Sequence, residues 1–403
     1  MKRDRSLLYI AAFARSTGVG MSGVLVGLYA AELGLGAAGV GAVISAGLVG
    51  VALGTLAVML WGERVGRARL LIGLAFLAGL GTAAFALAPL PWMLAPAAAL
   101  GMVNGMGRDR GAAFSLEQAL LPSLTDERGR TQAFAWYNVV LDSGHALGAL
   151  AGLLPSLLRH GLGLSPLASY RAGFLAVAAT SLVGALAYAA LSPEARAGRG
   201  PSRAMPVTPE SRRRIGRLAG LFAMDSLGGG FLTTALLSYW FFRRFGVGEE
   251  TLAPLFLLAR LANGASHLAA AWLAKRFGLL RTMVFTHLPS SLLLLTVPIA
   301  PSFTVAAVLY LLRECLVEMD VPTRQSYVVA VVRPEERAAA AGATNFVRTA
   351  GWAVAPVFAG AAMQGVALWA PLAAGAALKI GYDLLLYRGF RKIKPPEERP
   401  DAA

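Results

Sequence analysis

The chain has 403 residues, of which 56% are hydrophobic and 15% are charged, and its formal net charge is +15. Soluble domains are less apolar and carry about 25% charged residues. This composition therefore excludes a typical soluble enzyme and favours a membrane protein. Cys315 is the single cysteine, which excludes an intramolecular disulfide and a metal site built from several cysteines.

Twelve apolar segments are long enough to cross a bilayer, which takes about 20 residues. In chain order they are residues 8–32, 38–61, 70–88, 92–121, 131–158, 170–191, 217–242, 251–274, 282–300, 303–332, 338–363 and 371–389. The first is too long for a signal peptide and is predicted to be a membrane span. Most of the basic excess falls in segments on the side of the two termini, so the positive-inside rule places both termini in the cytoplasm. This distribution gives no case for binding to nucleic acid.

Repeated residue patterns indicate that the chain consists of two related halves. A basic turn at Arg64, Gly66 and Arg69 recurs 212 residues later at Arg276, Gly278 and Arg281. At an offset of 207, Gln118, Asn138 and Gly144 recur as Gln325, Asn345 and Gly351. The repeats predict two six-span bundles, residues 1–191 and 217–403. A cytoplasmic linker at 192–216, rich in Pro, Ser and Arg, joins them.

The first basic turn resembles the loop signature of the major facilitator superfamily, which is approximately G-x-L-A-D-R-x-G-R-R/K. Arg64, Gly66 and Arg67 fit this pattern, Glu63 replaces the usual aspartate, and Ala68 departs from it. The six-plus-six layout and the linker match the same family, so the resemblance covers nearly the whole chain. Residues 319–327, Met-Asp-Val-Pro-Thr-Arg-Gln-Ser-Tyr, are similar to a bacterial branch of it.

The resemblance implies an all-α membrane protein with 12 transmembrane helices arranged as two six-helix repeats. It also implies a monomeric secondary transporter of the bacterial inner membrane that works by alternating access about a midplane site. The basic turns would then form a gating loop, with a plain charged turn as the structural alternative. The predicted gating residues are Glu63, Arg64, Gly66, Arg67, Arg276 and Gly278.

Charged residues inside apolar spans are costly and usually mark functional pathways. The stretch Arg313–Gln325, within the tenth span, carries five of them. On one continuous helix, Arg313, Asp320 and Arg324 would share one stripe, next to a second stripe with Glu318. We expect this span to line a water-accessible cavity, with a structural ion-pair network as the alternative. The predicted substrate- or proton-pathway residues are Arg15, Asp109, Arg110, Glu117, Asp142, His145, Glu314, Glu318, Asp320, Arg324 and Arg348.

Three local patterns have structural interpretations. Asp142 and His145, three residues apart, could be half of a metal site. A hydrogen-bonded couple is preferred, because no second histidine lies nearby in the sequence. Lys379 and Asp383, four apart in the last span, are predicted to form a local pair. Glycines at four-residue spacing in the fifth span are typical of close helix packing; they are Gly144, Gly148 and Gly152.

No G-x-x-x-x-G-K-[ST] loop is present, so the chain is not predicted to hydrolyse ATP. No other motif points to an enzyme, a metal or a cofactor, and coupling to protons remains. Asp320 is predicted to be held ionised by Arg324. Glu318 lies deepest in the span without such a partner and is the predicted proton carrier.

The favoured function is proton-coupled efflux of a small amphiphilic or cationic compound. One alternative is transport of an anionic metabolite, in which Arg15, Arg110, Arg324 and Arg348 would bind the anion. A third is a non-transporting sensor or a lipid translocator built on the same scaffold.

Overall fold

The computed structural model of the chain describes residues 2–109, 111–125, 130–193, 208–330, 332–333 and 336–391. Over these residues the protein is helical, without β-strands. Helices suit a bilayer because every backbone group within them is hydrogen-bonded internally. The sixteen α-helices of the described residues are α1 Lys2–Glu32, α2 Ala37–Val65, α3 Arg67–Leu87, α4 Leu94–Leu100, α5 Ala112–Leu120, α6 Arg130–Ala151, α7 Leu154–Leu162, α8 Pro166–Ala189, α9 Pro209–Gly230, α10 Thr234–Phe245, α11 Glu249–Phe277, α12 Leu279–Thr296, α13 Phe303–Val317, α14 Asp320–Ala330, α15 Arg337–Gly365 and α16 Ala370–Phe390.

Eight helical segments within the described ranges are long and apolar enough to cross a membrane. They are Lys2–Glu32, Ala37–Val58, Arg67–Leu87, Gln132–Leu162, Pro166–Ala189, Pro209–Phe245, Leu279–Ile299 and Ala340–Gly365. The long helices α11 and α16 are more polar, with Asn263, Lys379 and Asp383 buried in them. The remaining predicted spans, 92–121 and 303–332, are each divided into two shorter helices.

Several spans are broken near their middle. The breaks lie at residues 101–109 and 111 between α4 and α5, 152–153 between α6 and α7, 231–233 between α9 and α10, and 318–319 between α13 and α14. Non-helical backbone at this depth is tolerated where protein or a water-filled cavity surrounds it. The break at 318–319 shows that the prediction of one continuous helix through Arg313–Gln325 was wrong, because residues before and after it no longer share one helical stripe.

The two basic turns have the same backbone conformation. Gly66 separates α2 from α3 with φ +94°, and Gly278 separates α11 from α12 with φ +86°. Only glycine adopts such φ values readily, so the repeated glycine is required by the turn. This equivalence supports the internal repeat found in the sequence.

Contacts between Cα atoms divide the chain into two compact units. The first comprises residues 1–201, 233–257 and 356–366, and its core includes Leu116 and Tyr137. The second comprises residues 202–232, 258–355 and 367–403, and its core includes Phe222 and Tyr327. Two segments of the second sequence half thus belong to the first unit. The domain boundaries at 191 and 217 stay a prediction.

Glycines bring α1 and α6 into close contact within the first unit. A β-carbon on Gly148 would overlap the backbone of Thr17, and one on Gly144 would overlap the side chain of Ser16. A β-carbon on Gly20 would overlap the carbonyl oxygen of His145. The interpretation of the glycine ladder as helix packing is therefore confirmed.

Candidate functional site

A cavity of about 100 Å³ lies inside the first unit, next to the break between α4 and α5. Its walls come from α1, α2, α3, α5, α8 and the non-helical residues 101–104, 109 and 111. The side chains of Arg15 and Asp109 line it together with those of Thr82, Asn104 and Tyr188. Discontinuous helices form the substrate sites of many membrane transporters, and here the break between α4 and α5 supplies Asn104 and Asp109 to the cavity wall.

Side chains within the non-helical segment hold its shape. Asn104 accepts a hydrogen bond from the N–H of Met106 at 2.8 Å and donates one to the carbonyl of Arg108 at 2.8 Å. Asp109 accepts one from the N–H of Gly111 at 2.8 Å, just before α5 begins. These bonds satisfy backbone groups that would otherwise stay unpaired at this depth.

The first turn of α10 also binds this segment. The hydroxyl of Thr234 donates to the carbonyl of Met106 at 2.9 Å, and the N–H of Ala235 donates to the carbonyl of Gly105 at 3.0 Å. All four residues belong to the first unit. The first turn of α10 therefore supplies donors to the break between α4 and α5.

Arg15 is the centre of a buried network beside the cavity. It forms ion pairs with Asp109 and with Glu117. Glu117, which is fully buried, also accepts a hydrogen bond from the hydroxyl of Tyr137 at 2.6 Å and another from that of Tyr188. The structure thus brings three predicted pathway residues together, and two tyrosines complete the hydrogen bonds of the Glu117 carboxylate.

His145 joins this network, whereas Asp142 does not. The N–H of Asp109 donates to Nε2 of His145 at 3.1 Å, and His145 is buried. Asp142 is exposed on the surface of α6. Among the described residues, no group of three or more metal-ligating side chains is close enough to hold a metal ion. Arg110, also predicted here, lies outside the described residues.

A second buried network surrounds Asp225 in the second unit. Asp225 is 3% exposed and pairs with Arg348 at 2.6 Å, with Lys379 at 2.8 Å and with Arg324 at 3.7 Å. These three cations come from α15, α16 and α14, and Asp225 itself lies on α9. One carboxylate therefore holds four helices of this unit together.

His287, on α12, extends this network. Its Nδ1 lies 3.0 Å from Asp383, and its Nε2 lies 3.4 Å from Nζ of Lys379 and 3.8 Å from Asp225. The predicted local pair between Lys379 and Asp383 is wrong, because each side chain has another partner on a different helix. Lys379 is directed to α9, and Asp383 is directed to α12.

The charged residues of the tenth span do not form one network. Four of them pair with each other, and Glu318 has a partner on another helix. Arg313 pairs with its neighbour Glu314, whose carboxylate also accepts a hydrogen bond from Asn263 at 2.8 Å. Asp320 and Arg324 form the predicted pair within α14.

Glu318 lies at the helix break between α13 and α14. Its carboxylate is 3.9 Å from Nε2 of His267, and the two side chains are 17% and 33% exposed. This contact could not be predicted from the spacing within the span, because His267 comes from α11.

Four members of the second network were not predicted as pathway residues: Asp225, His287, Lys379 and Asp383. For Asp225, the internal repeat of the sequence contained the information needed to predict it. Ser16 packs on Gly144 just as Ser226 packs on Gly351, so Arg15 corresponds to Asp225. At the offset of 207, Glu117 corresponds to Arg324. The two halves therefore carry the same ion pair with its charges exchanged.

The gating residues lie on two equivalent turns. Arg64 is exposed in the last turn of α2, and Arg67 is partly buried at the start of α3. Arg276 packs over the ring of Phe277, with its Cζ 5.6 Å from the ring centre. Glu63 lies in α2, and its side chain is outside the described part of the chain.

A third polar cluster in the first unit was not found from the sequence. Arg159 of α7 forms an ion pair with Glu249, at the start of α11, and the hydroxyl of Tyr170 donates to the same carboxylate at 2.8 Å. The neighbouring Glu250 accepts a hydrogen bond from Ser156 at 2.7 Å. This cluster ties the first turn of α11 to α7 and α8.

The N-terminus of α9 is fixed by Glu336, in the turn before α15. The Glu336 carboxylate accepts hydrogen bonds from the hydroxyl of Ser211 and from the N–H of Thr208, the latter at 2.6 Å. These bonds lower the pKa of Glu336 to about 2, with that from Ser211 contributing most. Because the folded pKa lies below the usual value of 4.5, these bonds stabilise the protein above that value and stop doing so as the pH falls towards 2.

We expect Glu336→Gln to lower the melting temperature at pH 7, with the difference from wild type shrinking as the pH falls from about 4.5 to 2. Thermal unfolding of the detergent-solubilised protein across this pH range measures the effect. Glu210→Gln is the matched control, since Glu210 is exposed and pairs only with Arg214 among the described residues. A pH-independent difference for Glu336→Gln would contradict the assignment.

A multi-pass helical protein with buried ion pairs, two of whose charged side chains line an internal cavity, has the architecture of a membrane transporter. The family model of the Major Facilitator Superfamily matches residues 8–356. The chain therefore belongs to this superfamily, and the resemblance seen in the basic turn is confirmed.

Solved structures show the same fold. The nucleoside transporter NupG superimposes with a TM-score of 0.74 at 14% identity, covering 96% of this chain and 99% of that one. A D-xylose–proton symporter gives 0.72 at 13% identity, covering 98% of each chain. A bacterial homologue of the human lysosomal transporter Spinster, inward-facing and occupied, gives 0.72 at 16% identity, with 96% and 97% covered.

A curated relative comes from Saccharomyces cerevisiae. It is an uncharacterized membrane protein, 24% identical over 420 residues, and the match covers 95% of this chain and 93% of the yeast protein. With the family and the solved structures, the predicted fold is confirmed: an all-α membrane protein with 12 transmembrane helices in two six-helix repeats.

Proposed function

We propose that the protein is a secondary active transporter that exports a small organic compound by alternating access, in exchange for protons. The observation that carries this proposal is the Arg15 network, which places two carboxylates and a guanidinium beside a cavity in the apolar interior. Ionisable groups at such a depth are energetically costly, and in membrane proteins they usually mark a transport pathway. A D-xylose–proton symporter has the same fold, which supports coupling to protons.

The arginine contacts disfavour transport of an anionic metabolite. Arg15 pairs with two carboxylates, Arg324 pairs with Asp320, and Arg348 pairs with Asp225. An anion would have to compete with these fixed carboxylates for the same guanidinium groups. The described part of the chain thus favours a neutral or cationic substrate.

Glu318 remains the proposed proton carrier, now with His267 beside it. Both side chains are partly accessible, and carboxylates and imidazoles are the side chains that form proton relays in membrane transporters. Glu318 lies at a helix break, where a change in its charge can alter the contact between α13, α14 and α11. This position supports a role in coupling proton movement to a conformational change.

We expect Glu318→Gln to abolish accumulation driven by a pH gradient while exchange at equal pH on both sides continues. Both activities are measured in the same proteoliposomes with a radiolabelled compound that the wild-type protein accumulates. The exposed Glu210→Gln should behave like wild type in both. Accumulation by Glu318→Gln against a gradient would exclude Glu318 as the carrier.

We also propose that both termini and the basic turns face the cytoplasm and that the protein is a monomer. The concentration of Arg and Lys in these turns supports the orientation. The bacterial inner membrane stays a prediction, because the curated relative is a yeast protein. In this orientation, Arg64 and the turn around it would brace the cytoplasmic gate.

Cysteine labelling tests the orientation. In a Cys315→Ser background, a cysteine replacing the exposed Arg243 should react with an impermeant maleimide in intact cells. One replacing the exposed Arg69 should react only after the cells are opened. Labelling of the Arg69 position from outside would reverse the proposed topology.

A further inference from the structure

The cavity in the first unit contains polar groups that the protein itself does not satisfy. Arg15, on its wall, directs its guanidinium to Asp109 and Glu117. The hydroxyls of Ser22 and Thr82 also line the cavity and make no hydrogen bond within the described ranges. Ser22 is 2% exposed and Thr82 is 3% exposed. Buried polar groups without a partner cost free energy, so these groups require a polar occupant.

The charges around the cavity point to a neutral occupant. Arg15 and Asp109 are the charged side chains that line it in the described part of the chain, and they pair with each other. An added ammonium would compete with Arg15 for Asp109, and an added carboxylate would compete with Asp109 for Arg15. A neutral hydroxyl both donates and accepts, so it can bind to Ser22 and Thr82 without disturbing that pair.

The volume limits the size of the occupant. A cavity of about 100 Å³ has room for about three water molecules, since each takes about 30 Å³ in the liquid. A three-carbon polyol could place one hydroxyl at each of about three such positions. Its carbon atoms would contact the apolar part of the wall, which includes Val51, Leu74 and Val177.

We propose that this cavity is a binding site for a small neutral polyhydroxy compound, or for the hydroxyl-bearing end of a larger one. The site lies within the first unit. This inference rests on the proposed transport function, because it names the class of compound that the site selects. Thr82 and Ser22 hydrogen-bond its hydroxyls.

Equilibrium binding of radiolabelled glycerol to the detergent-solubilised protein tests the proposal. We expect saturable binding of about one molecule per chain. Thr82→Val, which keeps the shape but removes the hydroxyl, should weaken it about tenfold. Ala78→Leu fills the cavity and should abolish binding, whereas Ala84→Leu, on the exposed side of the same helix, should not. Competition with n-propylammonium and propionate tests the charge preference, and neither should displace glycerol.

Three results would overturn the inference. They are the absence of saturable binding, binding that survives Ala78→Leu, and displacement of glycerol by either ion at equal concentration. The first would mean that only water occupies the cavity. Because binding is measured without a membrane or a pH gradient, these results do not depend on proton coupling. Transport of another compound by the wild-type protein would then leave the proposed function intact.

Discussion

Replacing Asp225 with alanine should destabilise the protein by about 3–5 kcal/mol, the usual cost of removing one partner from a buried ion pair. The change leaves Arg348 and Lys379 without the carboxylate that lies 2.6 and 2.8 Å from them. Desolvated cations without a counter-charge are among the most costly groups in an apolar interior. Unfolding of the purified protein in mixed micelles, followed by circular dichroism, measures the loss.

Asp142→Ala is the matched control, because Asp142 is an exposed aspartate on a helix of the other unit and should change stability by less than about 1 kcal/mol. The double variant Asp225→Ala with Lys379→Met should recover part of the loss, since it removes one stranded charge along with the carboxylate. Equal stabilities of the Asp225 and Asp142 variants would show that the network is not important for the fold.

Replacing Arg15 with methionine should have a similar effect in the first unit, about 3–5 kcal/mol at neutral pH. Methionine keeps much of the side-chain volume but leaves Asp109 and the fully buried Glu117 without their cation. Unfolding in mixed micelles, followed by circular dichroism, measures this loss as well.

The control for Arg15 is Arg244→Met, which removes an exposed arginine at the end of α10. The free energy of unfolding of that variant should equal that of the wild-type protein. An Arg15→Met variant that is as stable as Arg244→Met would contradict the assignment of Arg15 as the counter-charge of Glu117.

Much of the architecture could be predicted from the sequence because it depends on local composition. The apolar spans follow from runs of about 20 residues, and the repeat follows from identical residues at fixed offsets. The pair of Asp320 and Arg324 was predicted correctly, since spacing by four places two side chains on the same face of a helix. Such features require no knowledge of which helices are neighbours.

The helix breaks could not be predicted in the same way. Residues 101–109 and 111 are non-helical because Asn104 and Asp109 bind their backbone and because α10 supplies further donors. Those donors come from residues more than a hundred positions later in the chain. The positions of glycine residues did not predict the helix breaks, because most glycines in this chain lie inside helices.

The partners of buried charges were predicted wrongly or missed for a related reason. Lys379 and Asp383 have the spacing of a local pair, but Asp225 and His287 on neighbouring helices lie closer to them. A buried charge takes the partner that satisfies it best across the whole core, and spacing along one helix does not reveal that partner. The charge exchange between Arg15 and Asp225 shows that repeat alignment adds information that spacing lacks.

The networks also suggest how a charged interior remains stable in a membrane protein. Each unit has one central residue, Arg15 or Asp225, surrounded by groups of opposite charge from several helices. Partly accessible groups such as Glu318 and His267 lie outside these centres. We infer that the centres maintain the helix positions, while the more accessible pair exchanges protons with water.

Uptake into proteoliposomes with an acidic lumen is the most direct test of proton-coupled transport. The wild-type protein is offered a panel of radiolabelled neutral, cationic and anionic small compounds. The proposed function predicts that at least one neutral or cationic compound accumulates inside in proportion to the pH difference, and that a protonophore abolishes this accumulation. Accumulation of no compound, or accumulation that the protonophore leaves unchanged, would contradict it.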